Sequence, residues 1–162
     1  MAIHKLHIDE FDEIDYQLIA IHTTLEDYRL AYYINQYLSV TLFKHKNSIQ
    51  INNKEGEIHF SRFCYEDKKK DVFWDLIQNK NEIPAAAETN NQDLFSSSAE
   101  HFFVSAYLIP EYKKVDFFLK IDNMFSNAYV SKIIKNLKAI EQINTVYMVN
   151  PEDIKSKNNL IF

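Results

Sequence analysis

The chain has 162 residues, a net charge of −5 and a single glycine, Gly56. Phosphate-cradling loops, dinucleotide fingerprints and nucleophile elbows all need glycines at fixed positions, so the enzyme classes built on them are excluded. The acidic balance, with Arg29 and Arg62 as the only arginines, disfavours a nucleic-acid-binding protein.

Composition also indicates the kind of domain and its location. Hydrophobic residues make up 46% of the chain, which is enough for one globular domain over residues 1–162. A single cysteine, Cys64, excludes a disulfide framework and a cysteine-based zinc site. No segment approaches the ~20 apolar residues of a membrane span, and the N-terminal segment lacks a signal-peptide pattern. We therefore expect a cytoplasmic protein with no membrane contact.

The first half of the chain predicts a strand, a helix, a hairpin and a further strand. The apolar segment 16–23 predicts a buried strand, and Thr24 begins a capping-box-like pattern that predicts a helix to about Leu38. Residues 40–51 and 57–66 flank the turn that contains Gly56 and predict a hairpin. A fourth strand is predicted at 72–78.

The second half predicts a loop, another hairpin, a helix and a last strand. Residues 84–99 are rich in Ala, Ser and Asn and predict a flexible loop. The predicted hairpin joins 101–109 to 115–121, the helix spans about 126–142, and the strand covers 144–149. Hairpins with one early and one late helix favour a two-layer α+β fold, in which two main helices pack on one face of a largely antiparallel sheet.

The two predicted helices differ in their apolar surfaces. The late helix carries one stripe, which predicts a core-facing helix with lysines on its solvated side; the stripe contains Val130, Ile133, Ile134, Leu137 and Ile140. The early helix has two apolar sides. Leu30, Ile34, Tyr37 and Leu38 form one side, and Leu25, Tyr28 and Tyr32 project from the other, beside Arg29. Because tyrosine suits interfaces, the second side predicts either a partner surface or cover by the 84–99 loop.

The string IPEYKKVDFFLKI at 109–121 resembles the signature of the bacterial IPExxxVDY family. The matching residues are Ile109, Pro110, Glu111, Val115 and Asp116, while Phe117 replaces the final tyrosine. The resemblance implies no activity, cofactor or catalytic residue.

The same string also has a structural interpretation. Pro110 suits the first central position of a turn, after which the chain returns as a strand. Asp116 is placed to accept hydrogen bonds from the turn's amides, and Glu111 to pair with Lys113 or Lys114. We therefore favour turn architecture over a ligand site for this segment.

No catalytic group, metal site or cofactor is predicted. The six histidines are scattered through the chain and lack the HExxH spacing of a zinc site. Cys64 lies within a strand, where burial disfavours the reactive thiolate.

The preferred hypothesis is a protein without catalysis that acts through a protein partner or as a homodimer. Its predicted contact residues are Leu25, Tyr28, Arg29 and Tyr32. The alternative is a ligand-binding protein or enzyme with its site near the 84–99 loop, where Glu111, Asp116 and a histidine would converge. The family resemblance adds RNA binding through Lys132, Lys135 and Lys138 as a third hypothesis, which the net charge disfavours.

Overall fold

The structure of the protein is a computed structural model that describes residues 14–54, 56–84 and 103–162. The predicted loop at 84–99 lies outside these ranges from residue 85 onward. The two α-helices in the described residues are α1 (Asp27–Leu38) and α2 (Asn127–Lys138). The strands are β1 (Tyr16–Thr23), β2 (Phe43–Lys44), β3 (Ile49–Asn53), β4 (Gly56–Phe60), β5 (Arg62–Asp67), β6 (Val72–Gln78), β7 (Lys80–Pro84), β8 (Phe103–Tyr107), β9 (Phe117–Asp122) and β10 (Ile143–Val149).

Six of these strands form the main sheet, in the order β10-β1-β9-β6-β5-β2. Two smaller sheets pair β3 with β4 and β7 with β8. Every pairing between described strands is antiparallel. The predicted α+β class, with two main helices and a largely antiparallel sheet, is confirmed.

Apolar side chains on both faces of the main sheet are buried, because successive residues of a strand point to opposite faces. In β1, Ile19 and Ile21 belong to a cluster with buried residues of both helices. Leu18 and Ala20 belong to a second cluster, which contains Phe60 of β4, buried residues of the segment 109–121 and buried residues of the C-terminal segment. This second cluster is not expected from the sequence, which predicts helices on one face of the sheet only.

Helix α2 matches its predicted stripe. Val130, Ile133 and Leu137 are buried, and the Ser126 hydroxyl accepts a hydrogen bond from the amide of Tyr129 at the N-terminus. The helix ends at Lys138, four residues before the predicted end.

The predicted start of the early helix at Thr24 is wrong. Helix α1 begins at Asp27, and its N-cap residue Glu26 makes no side-chain capping hydrogen bond. The preceding segment is instead fixed by Thr23, whose hydroxyl accepts from the amide of Leu25 at 3.1 Å.

The first predicted hairpin is present only in part. β3 and β4 pair on either side of the turn at Gly56, but the chain on both flanks joins the main sheet as β2 and β5. The second predicted hairpin, 101–109 with 115–121, is wrong. β8 pairs with β7, and β9 lies between β1 and β6.

Among the described residues, three of the four positions with positive φ are occupied by residues other than glycine. Ser39 at the end of α1 has φ 53°, Asp71 has φ 53° and Asn123 has φ 60°, whereas Gly56 has φ 129°. Asp and Asn tolerate this region better than most residues, but Ser39 pays the steric penalty of its Cβ atom.

Candidate functional site

The outer side of α1 presents two exposed tyrosines, as the helical spacing predicts. Tyr28 and Tyr32 are 59% and 60% exposed, and Arg29 between them is also exposed. On the opposite side of the helix, Leu30 and Ile34 are fully buried. We call Tyr28, Arg29 and Tyr32 the α1 contact surface.

Two details of the predicted helix sides are wrong. Leu25 is partly buried and packs against the helix-side core, so it does not belong to the α1 contact surface. Because Leu25 precedes the first residue of α1, helical spacing does not determine where its side chain points. Tyr37, predicted in the core, is 44% exposed at the edge of the buried side.

Local contacts orient both exposed tyrosines. Tyr32 makes an edge-on contact with Tyr33, with ring centroids 5.7 Å apart, and Tyr33 packs against the core. A hydrogen bond to the Glu26 carboxylate, together with its negative charge, raises the pKa of Tyr28. The hydroxyl of Tyr28 is the donor in this hydrogen bond to the Glu26 carboxylate.

A cavity of about 380 Å³ lies beside the α1 contact surface, at the N-terminus of the helix. Leu25, Asp27 and Tyr28 line one side of it. Its other lining residues include Lys80 at the start of β7 and Asp116 of the segment 109–121, called the motif segment below. The structure thus brings two predicted contact residues and one motif residue together at one cavity.

Hydrogen bonds from Asn79 hold the motif segment in place, and Asn79 itself is fully buried between β6 and β7. The Asn79 side-chain amide donates to the carbonyls of Tyr112 at 2.9 Å and Val115 at 2.8 Å. Its side-chain oxygen accepts from the amide of Ile109 at 2.8 Å. Its backbone carbonyl accepts from Leu108, and its backbone amide donates to the carbonyl of Asp116. Asn79 therefore fixes both ends of the motif's turn.

The motif residues fill structural roles. Ile109 and Val115 are buried in the second cluster, and Pro110 begins a short 3₁₀ helix rather than the predicted β-turn. Asp116 accepts from the backbone amide of Thr23 at 2.9 Å instead of bonding the turn's own amides. This bond ties the motif segment to the entry of α1.

Glu111 makes contacts that the sequence analysis did not predict. Its carboxylate accepts from the amide and the hydroxyl of Ser156, both at 2.7 Å, rather than pairing with Lys113 or Lys114. Burial raises the pKa of Glu111, but the hydrogen bonds from Ser156 and nearby amides outweigh that effect and lower it. Glu111 therefore anchors the C-terminal segment as a carboxylate.

The convergence of Glu111, Asp116 and a histidine that the enzyme hypothesis needs is not found among the residues that the structure describes. The cavity that Asp116 lines includes neither Glu111 nor a histidine among its lining residues. Among the described residues, no group of three or more His, Cys, Asp and Glu side chains is arranged to hold a metal ion. His4, His7 and His101 lie outside the described residues.

Cys64 has the environment of a weakly reactive thiol. Burial and the negative charge of Asp75 raise its pKa, so the thiol is protonated at neutral pH. On the same strand, Arg62 forms a 2.7 Å ion pair with Asp75, whose exposure is only 4%. This pair is structural, since each charge satisfies the other at a partly buried position.

The exposed tyrosines are predictable from the sequence, whereas the cavity and the role of Asn79 are not. Helical periodicity identifies the sides of α1, whereas no sequence signal relates Lys80 or Asn79 to a segment more than 25 residues away. The only available sign is that Asn79 is a polar residue directly after the predicted strand 72–78. No helix in the described part of the chain is long and apolar enough to cross a membrane. No family model, curated protein or solved structure matches the chain significantly.

Proposed function

We propose that this protein is a non-catalytic interaction module that binds a protein partner through the α1 contact surface. The observation that carries the proposal is the pair of tyrosines one helical turn apart, 59% and 60% exposed, on a helix whose other side is core. Aromatic residues and arginine are enriched where partners bind, because they bury a large area and still form hydrogen bonds. The proposal includes a cytoplasmic location and membership of the IPExxxVDY family.

The motif supports a scaffold role in this proposal. Asp116 holds Thr23, and Thr23 in turn fixes the segment that leads into α1. Asn79 holds the motif turn against the sheet. These contacts hold the segment that leads into α1 and so support the position of the α1 contact surface.

The test is recovery of partners from native lysate with wild-type protein and with the Tyr28→Ser/Tyr32→Ser variant. The matched control is Tyr37→Ser, which removes an exposed tyrosine from the same helix about 180° from Tyr28. We expect a stoichiometric partner that survives nuclease, is lost with the double variant and is kept with the control. Circular dichroism and the thermal midpoint check that each variant is folded.

Two results would overturn the proposal. Equal recovery by wild type and the double variant would place the contact elsewhere. Loss of all partners after nuclease treatment, with steep salt dependence of binding, would favour RNA binding through the α2 lysines instead.

A second candidate function rests on the cavity. Its volume of about 380 Å³ falls in the range of small-molecule sites, and Lys80, Asp27 and Asp116 give it charges of both signs. A small-molecule screen by thermal shift, with Lys80→Ala as the binding-deficient variant, tests this candidate. A hit whose shift is unchanged in Lys80→Ala would place the ligand at another site.

A further inference from the structure

The two edges of the main sheet differ in how they are protected. The β2 edge is two residues long and contains Lys44, with Lys46 close behind. The β10 edge is seven residues long and contains no charged residue and no proline. Natural proteins usually shorten or charge an edge strand, because its unpaired amides and carbonyls pair readily with another strand. The β10 edge lacks both protections.

The exposed stretch of β10 is regular. A register shift occurs only between His22 and Thr23 of β1, so that Thr145–Val149 of β10 face β1 without interruption. No described strand pairs with the other side of β10. Tyr147 and Met148 are 37% and 41% exposed on this stretch.

We propose that β10 pairs with β10 of a second copy of this chain, antiparallel and centred on Tyr147. In this register Tyr147 faces Tyr147 of the second copy. Val146 faces Met148 of the second copy, and Thr145 faces Val149 of the second copy. The two six-stranded sheets then form one continuous sheet through a two-fold axis.

A second copy suits this edge because the segment is complementary to itself. Directly opposed like charges destabilise a strand pair, and Thr145–Val149 contains none. Aromatic and β-branched pairs across antiparallel strands are favourable, and this register produces them on one face, where Tyr147 meets Tyr147 and Thr145 meets Val149; the other face pairs the apolar Val146 and Met148. A partner strand with charged side chains would find no residue of opposite charge on β10 with which to form an ion pair. The inference does not depend on the α1 contact surface, which lies on a helix and not at the sheet edge.

The first test is the solution mass by light scattering after size exclusion, over a range of protein concentrations. We expect twice the 19.2 kDa of the chain for wild type. Tyr147→Lys and, separately, Met148→Lys are expected to weaken dimerisation at least tenfold, because each places lysines at the interface. Phe125→Lys, at an apolar residue that is 77% exposed elsewhere, is the matched control and keeps the dimer.

The second test fixes the register and guards against a folding artefact, since Tyr147 also stacks on His22. In a Cys64→Ala background, Tyr147→Cys is expected to form a disulfide-linked dimer on mild oxidation. Residues directly opposite in antiparallel strands have Cα atoms roughly 4.5–5.5 Å apart, within disulfide range. Asn144→Cys is the control, because three residues from the centre its Cα atoms are about 20 Å apart.

Three results would overturn this inference. The first is that the wild type is a monomer at every concentration. The second is that Tyr147→Cys and Asn144→Cys cross-link equally. The third is that the dimer persists in both Tyr147→Lys and Met148→Lys. If the dimer is lost only in Tyr28→Ser/Tyr32→Ser, copies associate through the α1 contact surface and the β10 inference fails while that surface keeps its role.

Discussion

Replacing Asn79 by alanine tests whether the motif segment depends on one buried side chain. The substitution removes two donors and one acceptor that hold Ile109, Tyr112 and Val115. Asn79 is fully buried, so water does not readily replace these bonds. We expect Asn79→Ala to destabilise the whole protein and not only the turn, because the same segment leads into the central strand β9.

The magnitude follows from the three backbone groups left without partners. Each buried polar group that loses its hydrogen bond costs about 1–3 kcal/mol, and the shape change allows some relaxation. The sum is about 3–6 kcal/mol, against a total stability of about 5–15 kcal/mol for a typical domain. Urea unfolding followed by circular dichroism measures the difference.

Asn81→Ala is the matched control for this experiment. Asn81 lies two residues away and donates to the carbonyl of His59, but this bond is exposed to solvent. Its loss is expected to cost less than about 1 kcal/mol, because water takes over the exposed carbonyl. If Asn79→Ala loses no more than Asn81→Ala, Asn79 does not support the motif segment and the reasoning is refuted.

Three further predictions concern other parts of the structure. Arg62→Met is expected to lower the free energy of unfolding at pH 7 by about 3–5 kcal/mol, because Asp75 is left buried without its cation. The double variant Arg62→Met/Asp75→Leu is expected to regain most of the lost free energy of unfolding. Equal losses in the single and the double variant would contradict this expectation. Ser39→Gly is expected to raise the free energy of unfolding by about 1 kcal/mol by relieving the left-handed backbone, and a lower thermal midpoint would count against it. At pH 7 the wild type is expected to have a larger free energy of unfolding than Glu111→Gln, because the pKa of Glu111 is lowered in the folded state. This difference is expected to disappear as the pH falls from the ordinary glutamate pKa of about 4.3 through the lowered pKa of the folded state. An advantage that does not change between pH 7 and pH 2 would show that the charge of Glu111 contributes nothing.

The sequence predicts elements well where local chemistry alone determines them. The single apolar stripe of α2 and the hydroxyl of Ser126 locate that helix within a few residues. Strand pairing depends on distant contacts, and alternation along 101–109 indicates a strand without indicating its neighbour. The short 3₁₀ helix at Pro110 looks like a hairpin turn in sequence, but the bonds from Asn79 direct β8 and β9 into different sheets.

The candidate site was predictable to the extent that it lies on a helix. Tyr28 and Tyr32 follow from a period of 3.6 residues, whereas Leu25 lies before α1 and escapes that rule. Asp116 lies at the cavity because β9, which follows it, is placed beside β1 and β6 in the sheet. No local sequence pattern predicts that strand order. The sequence therefore identifies the side chains of the α1 contact surface but not the cavity beside them.

The bonds around Asn79 also have a consequence for how this fold tolerates changes in chain length. The chain leaves the main sheet after Gln78 and passes through β7 and β8, and the amide of Leu108, directly after β8, donates to the carbonyl of Asn79 at 2.8 Å. The two ends of this excursion are therefore fixed to each other, independently of the number of residues between them. Lengthening or shortening the chain between β7 and β8 changes the entropic cost of loop closure only slightly, and it leaves the pairing of β6 with β9 unchanged. The chain between β7 and β8 is therefore a position at which a new segment can be inserted without changing the main sheet.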